Sequence, residues 1–129
     1  MEKGKKIAQF RFLNYIISET SIHINEDLEP SKKLNIQFQQ KVAVNEESGK
    51  MRFEMTVSVQ DIKKVLDIKV TTIAFFEYDQ SLTKAQKDSF FMHNAPAILF
   101  PYVRAYISSL TAQAGIDTII LPTINFSRK

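Results

Sequence analysis

The chain has 129 residues, of which 44% are hydrophobic and 24% charged, with a formal net charge of +3 and no cysteine. That is one domain's length with enough apolar material for a buried core, so residues 1–129 are expected to form a single domain. The lack of cysteine excludes disulfides, thiolate metal sites and a cysteine nucleophile, and it suits a reducing, cytoplasmic setting.

The basic start, MEKGKKIAQF, leads into no apolar h-region, so no secretory signal peptide is expected. No apolar run approaches the roughly 20 residues of a membrane span, so membrane insertion is not expected either. Much of the net charge comes from Lys3, Lys5, Lys6, Arg128 and Lys129, which read as solvated tails. A nucleic-acid surface needs basic residues clustered on a folded face, often with aromatics interleaved, and that pattern is missing.

Ala8 to Ile24 is rich in Ile, Phe, Tyr and Thr and reads as a strand. Phe10, Phe12 and Ile16 fall on one face of it, and Leu13, Tyr15 and Ile17 on the other, which predicts a strand that is covered on both sides or offers one side to a partner. Glu26 to Lys33, with Pro30, is a charged connection that must cross the sheet if its flanking strands are not neighbours. Leu34, Ile36, Phe38, Val42 and Val44 then alternate with polar residues, as do Met51, Phe53, Met55, Val57 and Val59. Asn45 to Lys50 is turn chemistry, so the pair forms a hairpin with one dry face. Asp61 to Lys64 is a second reversal. The fourth strand has Leu66, Ile68, Val70, Ala74, Phe76 and Tyr78 on its dry side, but Ile73 and Phe75 on its wet side. The first strand and the end of the fourth are therefore expected to lie together.

Thr83 and Gln86 fit a capping box that opens a helix running to about His93. Asn94-Ala95-Pro96 predicts an interruption, because proline disfavours helical geometry at the residue before it. A second helix is expected from Pro96 to Ala114, kinked at Pro101 and stopped by Gly115. Thr118 to Phe126 is an extended apolar tail broken by Pro122. From Asn94 to Phe126 only Arg104 and Asp117 are charged. A helix with so little polar surface is expected to pack against protein on two sides, which points to a homo-oligomer.

Catalytic chemistry is poorly represented. His23 and His93 are far apart and have no metal-ligand spacing. Three scattered glycines form no phosphate loop, no G-x-S-x-G occurs, and the acidic pairs sit in turns. No enzyme activity, metal or cofactor is expected, which leaves ten Phe, four Tyr and four Met as the prominent chemistry.

Pro96, Ile98-Leu99-Phe100-Pro101-Tyr102, Arg104, Ile107, Leu110, Gly115, Leu121-Pro122 and Ile124-Asn125-Phe126 resemble the C-terminal signature of the SecB family of protein-export chaperones. The resemblance implies an α+β fold. A four-stranded antiparallel sheet, with a crossover between strands 1 and 2 and then a meander, is backed by a long C-terminal helix. It places strands one and four side by side and makes Glu26 to Lys33 the crossover. It also implies a dimer of dimers, with helices sandwiched between sheets.

The function implied is that of an ATP-independent holdase, which binds unfolded precursor polypeptides in an apolar groove and passes them to the export ATPase. An alternative is a SecB-like adaptor or a chaperone guarding an antitoxin, not coupled to that ATPase. Two-sided apolarity and the family's groove location nominate Leu28, Ile73, Phe75, Ile116, Ile119 and Leu121 as client-groove residues. Leu99, Tyr102, Val103, Tyr106, Ile107 and Leu110 are nominated for the oligomer interface. The ATPase's basic tail docks on acidic positions in the family, and Glu54 and Glu77 are the candidates on the strands.

Overall fold

The computed structural model describes residues 9–126; the lysines and arginine assigned to the tails (Lys3, Lys5, Lys6, Arg128 and Lys129) lie outside them. Four strands come first: β1 (Phe10–Ile24), β2 (Leu34–Asn45), β3 (Lys50–Asp61) and β4 (Leu66–Tyr78). They form one antiparallel sheet in the order β1-β4-β3-β2. The first and fourth strands are neighbours, as expected, and the chain reaches β2 by crossing to the far edge.

The two-sided apolarity of β1 has a different cause from the one expected. Register shifts between Phe12 and Asn14 and between Ile17 and Glu19 insert two β-bulges. Each adds a residue and reverses which side the following residues face. Phe10, Phe12, Tyr15, Ile17, Ile22 and Ile24 are thereby gathered on one face, partly buried against the core. Only Leu13 and Ile16 are left as large apolar side chains exposed on the opposite face.

The crossover runs past the end of the sheet rather than over a face, and Asp61 holds it there. The Asp61 carboxylate accepts hydrogen bonds from the amides of Val65 in the β3–β4 turn and Leu66 at the start of β4, both at 2.8 Å, and from Ser31 in the crossover, also at 2.8 Å. The backbone adds Asn25 N–H to Val65 O and Ile62 N–H to Lys33 O. At the opposite end, the β2–β3 turn is closed by the Asn45 side chain, which accepts from the amides of Glu47 and Ser48. Gly49 adopts φ +66° in that turn, and its backbone lies so close to β4 that an added Cβ would sit 2.7 Å from Tyr78 O. No other residue fits this turn without displacement.

The predicted break at Asn94-Ala95-Pro96 does not occur. Helix α1 (Lys84–Ser89) passes through a π-helical turn (Phe90–Asn94) into α2 (Ala95–Gln113). Ala95 keeps helical angles, φ −60° and ψ −48°, and its N–H reaches back to Phe90 O. The wide turn accommodates Pro96 without ending the helix, and packing helps to hold it. Phe90 stacks on Phe10 with ring centroids 3.6 Å apart and meets Phe76 edge-on, while Phe91 meets Tyr78. The capping box at Thr83 and Gln86 forms as expected. So does the stop at Gly115, where φ is +86° and the amides of Gly115 and Ile116 bond to Ala112 O and Thr111 O.

The core lies between one sheet face and α2. Met51, Phe53, Met55, Val57 and Val59 of β3 and Leu66, Ile68, Val70, Ala74 and Phe76 of β4 meet Leu99, Phe100, Val103 and Ile107 there.

Candidate functional site

The helix α2 carries one charged side chain, Arg104, and the structure turns it inward. After Gly115 the tail doubles back along α2 as an extended segment. Arg104 Nε donates to Leu121 O, and Ser108 Oγ donates to Ile119 O at 2.8 Å. Thr111 Oγ1 accepts from Ile119 N at 2.9 Å. Further along, His93 Nδ1 lies 2.9 Å from Phe126 O; facing a carbonyl, this nitrogen donates. Phe126 closes an aromatic cluster with Phe38 and Phe100. One of the two sides on which α2 was expected to pack is therefore covered by its own tail.

This placement corrects part of the predicted interface. Leu99, Val103 and Ile107 are fully buried against their own sheet and cannot meet another subunit. Leu110 and Tyr106 are half-buried, and the Tyr106 hydroxyl lies 2.9 Å from Thr20 Oγ1 on β1. Tyr102 is 43% exposed and packs beside Phe12 and Tyr15. The exposed stripe of α2 consists of Ala97, Ile98, Pro101, Tyr102, Ala105 and Ser109, none charged, and of these Tyr102 also touches rings of β1. Counting positions from Leu99 at 3.6 residues per turn would have separated these two stripes. What the sequence did not show was which stripe the sheet would take.

The six residues nominated for a client groove do not form one surface. Ile73 and Phe75 lie on the sheet face away from α2, where Ile73 pairs with Ile16 and is only 8% exposed. Ile116, Ile119 and Leu121 belong to the tail on the opposite side, and Ile119 and Leu121 are buried in the core. Leu28 stands on the crossover at 58% exposure. Within one subunit they are divided between the two faces of the sheet and the crossover.

The outer sheet face carries a small apolar patch in a polar surround. Leu13, Ala43 and Phe75 line a depression of about 470 Å³, open to solvent, with Arg52 at its side. Beside it, Thr56 and Thr71 hydroxyls bond to each other at 2.9 Å. Glu54 and Glu77, the two acidic candidates for ATPase docking, are both on this face and both paired: Arg52 lies 3.2 Å from Glu54 and Arg11 lies 3.3 Å from Glu77. Among the described residues no cluster of His, Asp or Glu could hold a metal ion, and no helix is long and apolar enough to cross a membrane.

A crossed-over four-stranded antiparallel sheet backed by one long helix, with apolar side chains uncovered on several sides, is the architecture to be compared with known proteins. The profile of the family described as preprotein translocase subunit SecB matches residues 15–128, and the chain belongs to the SecB family. An uncharacterised protein of Methanocaldococcus jannaschii is 34% identical to it, over 97% of this chain and 84% of that protein. The protein-export protein SecB of Anaplasma phagocytophilum is 36% identical over 49% of this chain and 40% of its own length. Among solved structures, the SecB-like chaperone Rv1957 of Mycobacterium tuberculosis, in complex with a ChAD peptide from the Rv1956 HigA1 antitoxin, has the same fold. Its TM-score is 0.77 at 14% identity, over 92% of this chain and 89% of that one. A protein of unknown function from Streptococcus agalactiae aligns with a TM-score of 0.51 at 12% identity, over 88% of this chain and 96% of that one.

Proposed function

We propose that this SecB-family chain is an ATP-independent chaperone that works in the cytoplasm, without a cofactor, and holds extended, unfolded polypeptide. The observation that carries the reading is the amount of apolar side chain left uncovered on a chain of this family. Leu13 and Ile16 on the outer sheet face, Val42 and Val44 on edge strand β2, Leu28 on the crossover, and Ile98 and Tyr102 on α2 are all exposed. They are spread over several sides of the subunit, as suits a surface that other subunits and a long client complete together. Each square ångström of apolar area covered contributes about 25 cal/mol, so a long client segment is held by area rather than by any one contact.

The same surface supports a homo-oligomer. The uncharged outward stripe of α2, centred on Tyr102 and Ala105, suits packing of α2 against another subunit's α2, in a dimer or a dimer of dimers. The client surface would then be completed by neighbouring subunits. In a stoichiometric assay with a denatured test protein, the chain should suppress light scattering from aggregation. Scattering equal to that without the chain would sink the holdase.

A second reading is an adaptor that guards one specific partner, such as an antitoxin, without coupling to the export ATPase. Two observations favour it. The fold matches at a TM-score of 0.77 that of a SecB-like chaperone in complex with an antitoxin peptide. Both candidate docking acids, Glu54 and Glu77, stand beside arginines of the same sheet rather than in an acidic cluster. Co-purification from the native cell separates the readings: one dominant partner supports the adaptor, and a broad set of unfolded precursors supports the holdase.

A further inference from the structure

Resting on the polypeptide-binding reading above, we infer that the flank of α2 is a receptor for extended main chain. The chain's own tail fills it in cis, and an extended apolar client takes the tail's place. The tail shows what the receptor selects. From Thr118 to Phe126 it carries no charge, and its side chains alternate: Ile119 and Leu121 point into the core, while Ile120 between them is 68% exposed. Beside this burial of alternate side chains, the hydrogen bonds that hold it recognise peptide groups. Arg104 and Ser108 donate to carbonyls of residues 121 and 119, and Thr111 accepts an amide. These three residues, at i, i+4 and i+7, form one stripe of the helix. Any extended segment with aliphatic side chains at alternate positions satisfies the same bonds. A terminal aromatic would take the place of Phe126 beside Phe38 and Phe100.

The attachment of the tail suits release. Gly115 turns the chain in the left-handed region with nothing within 4 Å of where a Cβ would stand, and only two cap hydrogen bonds of 3.3 Å tie the turn to α2. The tail belongs to none of the sheet's ladders, and Pro122 removes one donor from its middle. A segment on so short a tether competes at an effective concentration on the order of millimolar. The wild-type chain therefore hides the receptor from weak ligands and yields it to long ones that gain contacts elsewhere.

The probe is a labelled synthetic peptide of residues 116–126, IDTIILPTINF, read by fluorescence anisotropy. In full-length chain, Leu121→Asp places a charge where none can be solvated, so the tail should leave. The peptide should then bind at least about tenfold tighter than to wild type. Adding Arg104→Ala and Ser108→Ala to the Leu121→Asp chain should reverse most of that gain. Equal affinity for wild-type and Leu121→Asp chains, with helical circular dichroism retained, overturns the inference.

If Leu121→Asp does not fold, hydrogen exchange on wild type decides. The Ile119 amide should exchange at least about tenfold faster than central β3 amides, and faster still with peptide added. Protection equal to that of β3 and unmoved by peptide makes the tail a fixed part of the core. The outcome separates from the holdase test: peptide binding gated by the tail, without suppression of aggregation, defeats the holdase alone. Suppression with binding insensitive to the tail defeats this inference alone.

Discussion

At the scale of single residues, three positions test the account. Asp61 is buried, and burial alone would raise its pKa, but backbone amides of Leu66, Ser31, Val65 and Lys63 more than offset this and hold it below the ordinary carboxylate value. A carboxyl whose folded pKa is depressed contributes stability above its unfolded pKa and loses it as pH falls through the folded one. Acid titration below about pH 4 should therefore loosen the crossover. Asp61→Asn should cost about 2 kcal/mol or more and flatten that acid limb, measured by urea unfolding at several pH values. Thr72 has a buried hydroxyl with no hydrogen-bond partner, facing the core beside Ile17 and Met55. Thr72→Val keeps the shape and removes the unpaired group, so it should stabilise by about 1 kcal/mol and raise Tm by a few degrees in calorimetry. Gly49→Ala should destabilise by about 1–3 kcal/mol in chemical denaturation, because its Cβ meets Tyr78 O and its φ is left-handed.

At the scale of elements, β2, β3 and β4 were legible because a two-residue alternation against a single core runs through most of each, despite Gln40 in β2 and Ile73 and Phe75 in β4. The capping box and Gly115 were legible because caps are local chemistry. β1 was misread on one count: two bulges reset its alternation, and a bulge is settled by pairing with β4, not by the strand's own residues. The Pro96 break was misread for a similar reason. Local preference at Ala95 opposes helix, but Phe90 and Phe91 gain contacts with Phe10, Phe76 and Tyr78 if the helix continues through a wide turn. The candidate site suffered most. Ile119 and Leu121 look like groove lining by composition, yet no local signal reveals that the tail folds back onto α2.

Helix α2 offers a direct contrast between its two apolar stripes. Ile107→Asp buries a charge in the subunit's own core, so it should unfold the chain and abolish its circular dichroism. Tyr102→Asp lies on the outward stripe and should leave the monomer folded while dissociating any oligomer, read by light scattering coupled to size exclusion. A Tyr102→Asp chain with the mass of wild type would remove the outward stripe from the interface.

At the scale of the whole molecule, apolar surface remains on more than one side after the single core is complete. The sheet is covered by α2 on one face only, and the other face carries the Leu13, Ile16 and Phe75 patch among paired charges. That distribution suits a subunit that finishes its packing with other copies and with client chains. On that outer sheet face Glu54 and Glu77 each stand beside an arginine.

The amino-acid sequence alone determined the four strands, the helix, the crossover and the family, because periodicity, caps and a dense C-terminal motif are written in neighbouring residues. Only the tertiary structure decided which stripe of α2 faces the sheet, how β1 keeps one face inward, and that the apolar tail lies along the helix. Each of those depends on contacts between residues far apart in the chain, such as Arg104 with Leu121 and Phe38 with Phe126, where several apolar partners compete and packing selects one.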